Sequence, residues 1–205
     1  MSDALTERLN KIQLRITADD FLTGAGIGNE IGFYIFDYMP EDELRVRDHI
    51  RFLLERIPKQ KPELRVKHVN LFDMVLEYLK SRNILEKALK IQREKGNAEL
   101  KKALVGPLAE ERLAAYFEGY AQPASHDLVL MSGVGSVYPL VRTHSLLSNL
   151  HKIMGQTPLV MFYPGKYDQM TLRLFGKLSL SSTLETVAGK TKRQEHYYRA
   201  FKLVP

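Results

Sequence analysis

Residues 127–167 read DLVLMSGVGSVYPLVRTHSLLSNLHKIMGQTPLVMFYPGKY, and their pattern decides the fold class. The apolar run 128–131 ends in a turn of small residues, Ser132-Gly133-Val134-Gly135-Ser136. Pro139 then opens a helical pattern carrying Arg142 and His144, since proline suits the first turn of a helix. A second apolar run, 159–162, ends in Tyr163-Pro164-Gly165-Lys166-Tyr167. Strand, loop, helix, strand, loop is the repeating unit of an α/β sheet with parallel strands. In such open sheets, ligands and partners gather beyond the carboxyl ends of the strands. The polar residues of these loops therefore stand where a site is expected, although they spell no chemistry by themselves.

Upstream, Gly32-Phe33-Tyr34-Ile35-Phe36-Asp37 reads as the first strand, after a short amphipathic helix at residues 3–13 with Leu5, Leu9 and Ile12 on one face. Pro40 and the acidic Glu41-Asp42-Glu43 mark the start of a helix that Pro58 stops. Residues 64–69 alternate apolar and basic, as a half-buried strand does, and Asn70 caps the helix that follows. Leu71, Phe72, Val75, Leu76 and Leu79 form the buried stripe of that helix. Further helices at about 83–95 and 108–120, broken at Gly96-Asn97 and Gly106-Pro107, make residues 71–120 a helical insert within a single domain spanning 1–205. Residues 172–175 read as a short edge strand and 198–203 as the last strand. The fold class is a three-layer α/β protein with a mostly parallel sheet of about five strands.

Composition narrows the function. With 44% apolar and 26% charged residues, the 205-residue chain is an ordinary globular protein. No apolar run reaches the ~20 residues that span a bilayer, so no membrane role is expected. The start, MSDALTERLNKIQ, lacks a secretory pattern. The absence of cysteine excludes disulfides, thiolate zinc sites and a cysteine nucleophile, and it fits a reducing cytoplasm. The net charge of +6 points to acidic partners. Residues 80–102 hold eight Lys/Arg against three Glu, and Lys87, Lys90, Arg93, Lys95, Lys101 and Lys102 are the candidate phosphate contacts there. A solvated helical face is the plainer reading of that segment. No aromatic residue interleaves between 80 and 102, which argues against a platform for stacking single-stranded bases.

Two glycine turns imitate phosphate loops. Gly24-Ala25-Gly26-Ile27-Gly28 precedes its strand and is followed by Asn29-Glu30, so it reads as a tight turn, with an anion pocket as the alternative. Gly133-Val134-Gly135 does follow a strand but lacks the Gly-Lys-Ser/Thr ending. A nucleotide-hydrolysing reading of Gly133–Ser136 with Arg142 needs an acid, for which Asp37 and Asp127 are the strand-associated candidates. Asp127 lies at the wrong end of its strand, and Asp37 reads more simply as ordering its turn. His144 and His151 are seven apart and do not form a metal pair, and no elbow surrounds Ser145. No cofactor, metal site or catalytic set is expected.

Four motifs in order, GAGIGNEIGFYIFDY at 24–38, GVGSVYPLVRTHSLLSNL at 133–150, FYPGKY at 162–167 and HYYRAFKL at 196–203, resemble the BrxB family of bacteriophage-exclusion (BREX) systems. The resemblance implies a cytoplasmic component of a phage-defence cluster. It would act beside the phosphatase-like PglZ, the adenine methyltransferase PglX and a large ATPase, with a RecA/AAA-like core that lacks working nucleotide motifs. The expected role is a non-enzymatic assembly component or adaptor, docking PglZ or another BREX protein. The expected surface holds Asn29, Glu30, Tyr138, Arg142, His144, Tyr163, Lys166, Tyr167, Tyr197, Tyr198 and Arg199. Tyrosine and arginine are residue types favoured as interface anchors. The alternatives are a DNA-binding module using the basic helical face, or a degenerate nucleotide-binding protein.

Overall fold

A computed structural model describes residues 3–24, 32–169, 171–176 and 200–205. Its centre is a six-stranded sheet built from β1 (Phe33–Tyr38), β2 (Val66–Asn70), β3 (Leu128–Ser132), β4 (Leu159–Tyr167), β5 (Leu172–Leu174) and β6 (Ala200–Lys202). Five strands run parallel in the order β2-β3-β4-β1-β6, and β5 pairs antiparallel with the far end of β4. The expected parallel core is present, with one antiparallel strand added.

Strand alternation divides the interior into two cores. Phe33 and Ile35 of β1, Val129 and Met131 of β3, and Leu159 and Met161 of β4 face one side. There they meet α4 (Leu71–Ser81), α6 (Glu110–Ala121) and α8 (Thr143–Met154). Tyr34, Phe36, Leu128, Leu130, Val160 and Phe162 face the other side, against α1 (Ala4–Ile16), Phe21 of α2 (Asp19–Leu22) and α3 (Glu43–Gln60). Strands apolar on both faces are what a parallel sheet covered by helices requires, and the result is three layers.

Local chemistry explains the helix boundaries. Asn70 Oδ1 accepts from the Phe72 N–H at 3.1 Å and starts α4 directly from β2. Phe72 itself is exposed, and Met74 and Tyr78 join the buried stripe in its place. Pro58 does not stop α3, which continues to Gln60, because a proline so near a helix end forfeits a single hydrogen bond. Between β2 and β3 run α4, α5 (Leu85–Leu104) and α6, with a kink in α5 at Gly96, where φ is 80°.

Two loop expectations are corrected at the carboxyl edge. Pro139 does not open the long helix. One helical turn, α7 (Val134–Val137), follows Gly133, and α8 begins only at Thr143, with Arg142 extended before it. Tyr163-Pro164-Gly165-Lys166-Tyr167 is not a loop but the continuation of β4. The β3–β4 ladder ends at Met131 beside Met161, and β5 pairs with β4 only from Gly165, so Pro164 stands in the gap between the two ladders. Proline is tolerated in such a gap because it need not donate there. Gly165 permits the crossing with β5, since a Cβ on it would lie 2.2 Å from the Arg173 carbonyl oxygen.

Candidate functional site

Asp37, near the end of central strand β1, is buried and fully engaged. Arg8 of α1 donates from Nη2 to Asp37 Oδ1 and from Nη1 to the Asp37 carbonyl, both at 2.8 Å. Lys202 Nζ stands 3.5 Å from Oδ2, and the Tyr167 backbone N–H donates to the same oxygen at 3.0 Å. Arg8 also lies over the Phe36 ring at 4.7 Å and donates to the Val204 carbonyl at 3.2 Å. One carboxylate thus ties the first helix, the central strand, the last strand and the β4–β5 hairpin together. A carboxylate with every oxygen occupied by protein donors is a structural centre, a larger part than the turn-ordering one read from the sequence.

Beside it, α7 forms the middle of the carboxyl edge. Gly133 adopts φ 72°, and a Cβ on it would lie 2.1 Å from Asn70 Oδ1. A Cβ on Gly135 would meet Pro164 Cγ at 2.9 Å and the Phe175 ring at 3.1 Å. On the side where a side chain would stand, both glycines therefore meet protein atoms. Arg47 of α3 reaches Ser136 at 3.5 Å. Tyr138 meets Phe175 edge to face, with ring centroids 6.1 Å apart. Of the four large aromatic residues exposed among the described residues, Phe52, Phe72, Tyr138 and Phe175, three border this one turn. Met39 and Leu44, also exposed, follow the end of β1 on the same edge of the sheet.

The expected docking residues do not form one set. Tyr138, Arg142 and Lys166 are exposed at the carboxyl edge. Tyr163 and Tyr167 are 2% and 5% exposed, so they shape this edge from beneath and present no free ring. The Tyr167 hydroxyl donates to the Ala200 carbonyl at 2.7 Å, and burial raises its pKa to about 12. His144 falls in the first turn of α8. Asn29, Glu30, Tyr197, Tyr198 and Arg199 lie outside the described residues. Sequence reading missed Phe72 and Phe175. Phe72 was placed on the buried stripe of α4, but the stripe that starts at Leu71 runs through Met74, Val75, Tyr78 and Leu79, and that helical phase leaves Phe72 on the outer face.

Other groupings carry less. His68 Nε2 and Ser132 Oγ are 2.9 Å apart across β2 and β3, but no carboxylate hydrogen-bonds to His68 among the described residues, so the orienting group of a nucleophilic triad is missing. A cleft of about 540 Å³ lies at the opposite, amino end of the sheet, between Lys61, His126, Asp127 and Thr157. Asp127 there is held by Arg65 at 2.6 Å, which lowers its pKa. No cluster of three or more metal-ligating side chains occurs among the described residues. Lys87, Lys90, Arg93, Lys95, Lys101 and Lys102 are all exposed along α5. No helix among the described residues is long and apolar enough to cross a membrane.

No solved structure matches the chain. Residues 67–203 match the family model of BREX protein BrxB. BREX protein BrxB of Bacillus cereus (strain H3081.97) is 37% identical over 204 residues, covering 98% of this chain and 97% of the relative. BREX protein BrxB of Escherichia coli O9:H4 (strain HS) is 39% identical over 206 aligned positions, covering 100% and 94%. With this identity sustained over nearly the whole length of both relatives, the chain belongs to the BrxB family and is a component of a BREX phage-defence system.

Proposed function

We propose that this protein is a non-enzymatic assembly component of its BREX system and docks another BREX protein, PglZ first among them, through the carboxyl edge of its sheet. The observation that carries the reading is the gathering of exposed Phe72, Tyr138 and Phe175 around α7. Exposed aromatic groups beside arginine are the composition of interface anchors, and clustered apolar exposure marks interaction sites. Arg142 and Lys166 supply charge at the rim. The edge offers a partner a rigid surface, because Asp37, Asn70 and the two close-packed glycines fix the loops that build it.

The core is read as RecA/AAA-like in outline and without nucleotide chemistry. Its parallel order, with β1 between β4 and β6, supports the outline. The close packing of Gly133 and Gly135 against protein atoms supports the loss of a phosphate cradle. The test is pull-down of purified PglZ by the tagged protein. Tyr138→Ala with Phe175→Ala is expected to weaken capture more than tenfold while leaving thermal unfolding within a few degrees of wild type. Capture unchanged by that pair, and by Arg142→Ala, removes this edge from the interface.

A further inference from the structure

Helix α5 is the least buried of the described α-helices for its length. Of its 20 residues only Ala88 and Leu104 are buried. A helix polar on nearly all sides contributes little to the core, and its persistence calls for another use. Its charge supplies one. Residues 80–102 carry eight Lys/Arg and three Glu, a net +5, while the whole chain carries +6. Nearly all of the protein's excess positive charge therefore lies in this segment.

Local pairing does not cancel it. Lys90 stands 3.9 Å from Glu94, and Lys102 stands 2.7 Å from Glu99. Among the described residues no carboxylate pairs with Lys80, Arg82, Lys87, Arg93, Lys95 or Lys101. Arg82 lies over the Tyr78 ring at 5.8 Å. The kink at Gly96 joins two short helical arms, and nothing lies within 4 Å of where a Cβ on that glycine would be. The face is thus open, cationic and free of aromatic rings between residues 80 and 102.

We propose that α5 binds the phosphate backbone of duplex nucleic acid without reading its sequence. Charge complementarity selects a polyanion. The lack of aromatic residues removes the stacking platform that single strands use, which favours the duplex. Contact by about four cations predicts a log–log salt slope of roughly −3.6. This surface is built from other residues than the carboxyl edge of the sheet, and it stands or falls independently of partner docking there.

The test measures fluorescence anisotropy of a labelled mixed-sequence DNA duplex of about 24 base pairs, titrated with the full chain between about 50 and 200 mM KCl. Wild-type affinity is expected to fall about a hundredfold across that range. The variant Lys87→Gln, Arg93→Gln, Lys95→Gln and Lys101→Gln is expected to lose more than tenfold at the lower salt and most of the slope, with its helical circular dichroism unchanged. A control variant with Lys11→Gln, Arg51→Gln, Lys59→Gln and Lys152→Gln removes the same charge elsewhere and is expected to bind within a factor of three of wild type. No binding at low salt, equal loss in the control, or an unaffected α5 variant overturns the proposal. Displacement of the duplex by an equal charge concentration of polyglutamate also overturns it, in favour of an acidic protein.

Discussion

The Tyr167 backbone N–H donates to Asp37 Oδ2 at 3.0 Å, across 130 residues of sequence, and this bond joins the central strand to the hairpin that borders the candidate docking edge. The same carboxylate receives Arg8 and Lys202. Its removal leaves two cations facing a partly buried space. Uncompensated charge of that kind costs about 3 kcal/mol or more. Asp37→Ala is therefore expected to destabilise the protein by about 3 kcal/mol in urea unfolding, and to expose the Tyr167 amide to hydrogen exchange ahead of the β3 amides. Stability within about 0.5 kcal/mol of wild type contradicts the role assigned to Asp37.

Gly133 makes a second, local prediction. A side chain there meets Asn70 Oδ1, which caps α4, and must also hold φ at 72°. The left-handed backbone costs about 1 kcal/mol, and the disturbed cap costs about 1 kcal/mol more. Gly133→Ala is expected to lower stability by about 2 kcal/mol in urea unfolding. Gly106→Ala, where nothing lies within 4 Å and φ is not positive, is expected to be near neutral.

Acid sensitivity should trace to histidines before carboxylates. Burial pushes the pKa of His49 and of His68 below the ordinary histidine value, and His49 Nε2 is buried without a partner. Because the folded pKa lies below the unfolded one, the unfolded chain binds more protons once pH falls through about 6.5. Stability is therefore full above that value and declines below it. Between about pH 7.5 and pH 5, thermal unfolding of wild type should shift downward, and His49→Leu should reduce that shift. An identical shift in the variant contradicts the assignment.

The α/β class and all five strands of the parallel core were legible, most plainly where a strand buried on both faces leaves an unbroken apolar run, such as 128–131 and 159–162. The carboxyl edge was less so. Pro164-Gly165 carries the chemistry of a turn, and only the pairing with β1 through Pro164 and with β5 from Gly165 makes that segment strand. Tyr163 and Tyr167 looked like loop residues for the same reason, and the strand continuation buries them. Asp37 drew notice as a strand-end acid, but its partners come from residues 8, 167 and 202, separations that no local pattern encodes. Phe72 was assigned to the buried stripe of α4, although the i, i+3, i+4 phase from Leu71 leaves it outside, and Phe175 was read only as the end of an edge strand. The basic stretch 80–102 needed only counting.

Docking at the aromatic edge is tested most directly by co-purification of the tagged protein with the other products of its defence cluster, in high salt and with nuclease. Wild type is compared with the variant Phe72→Ser, Tyr138→Ala and Phe175→Ala. The account predicts a BREX partner, PglZ foremost, that survives salt and nuclease with wild type and is lost from the folded variant. A partner retained by the variant, or one released from wild type by salt or nuclease alone, contradicts it.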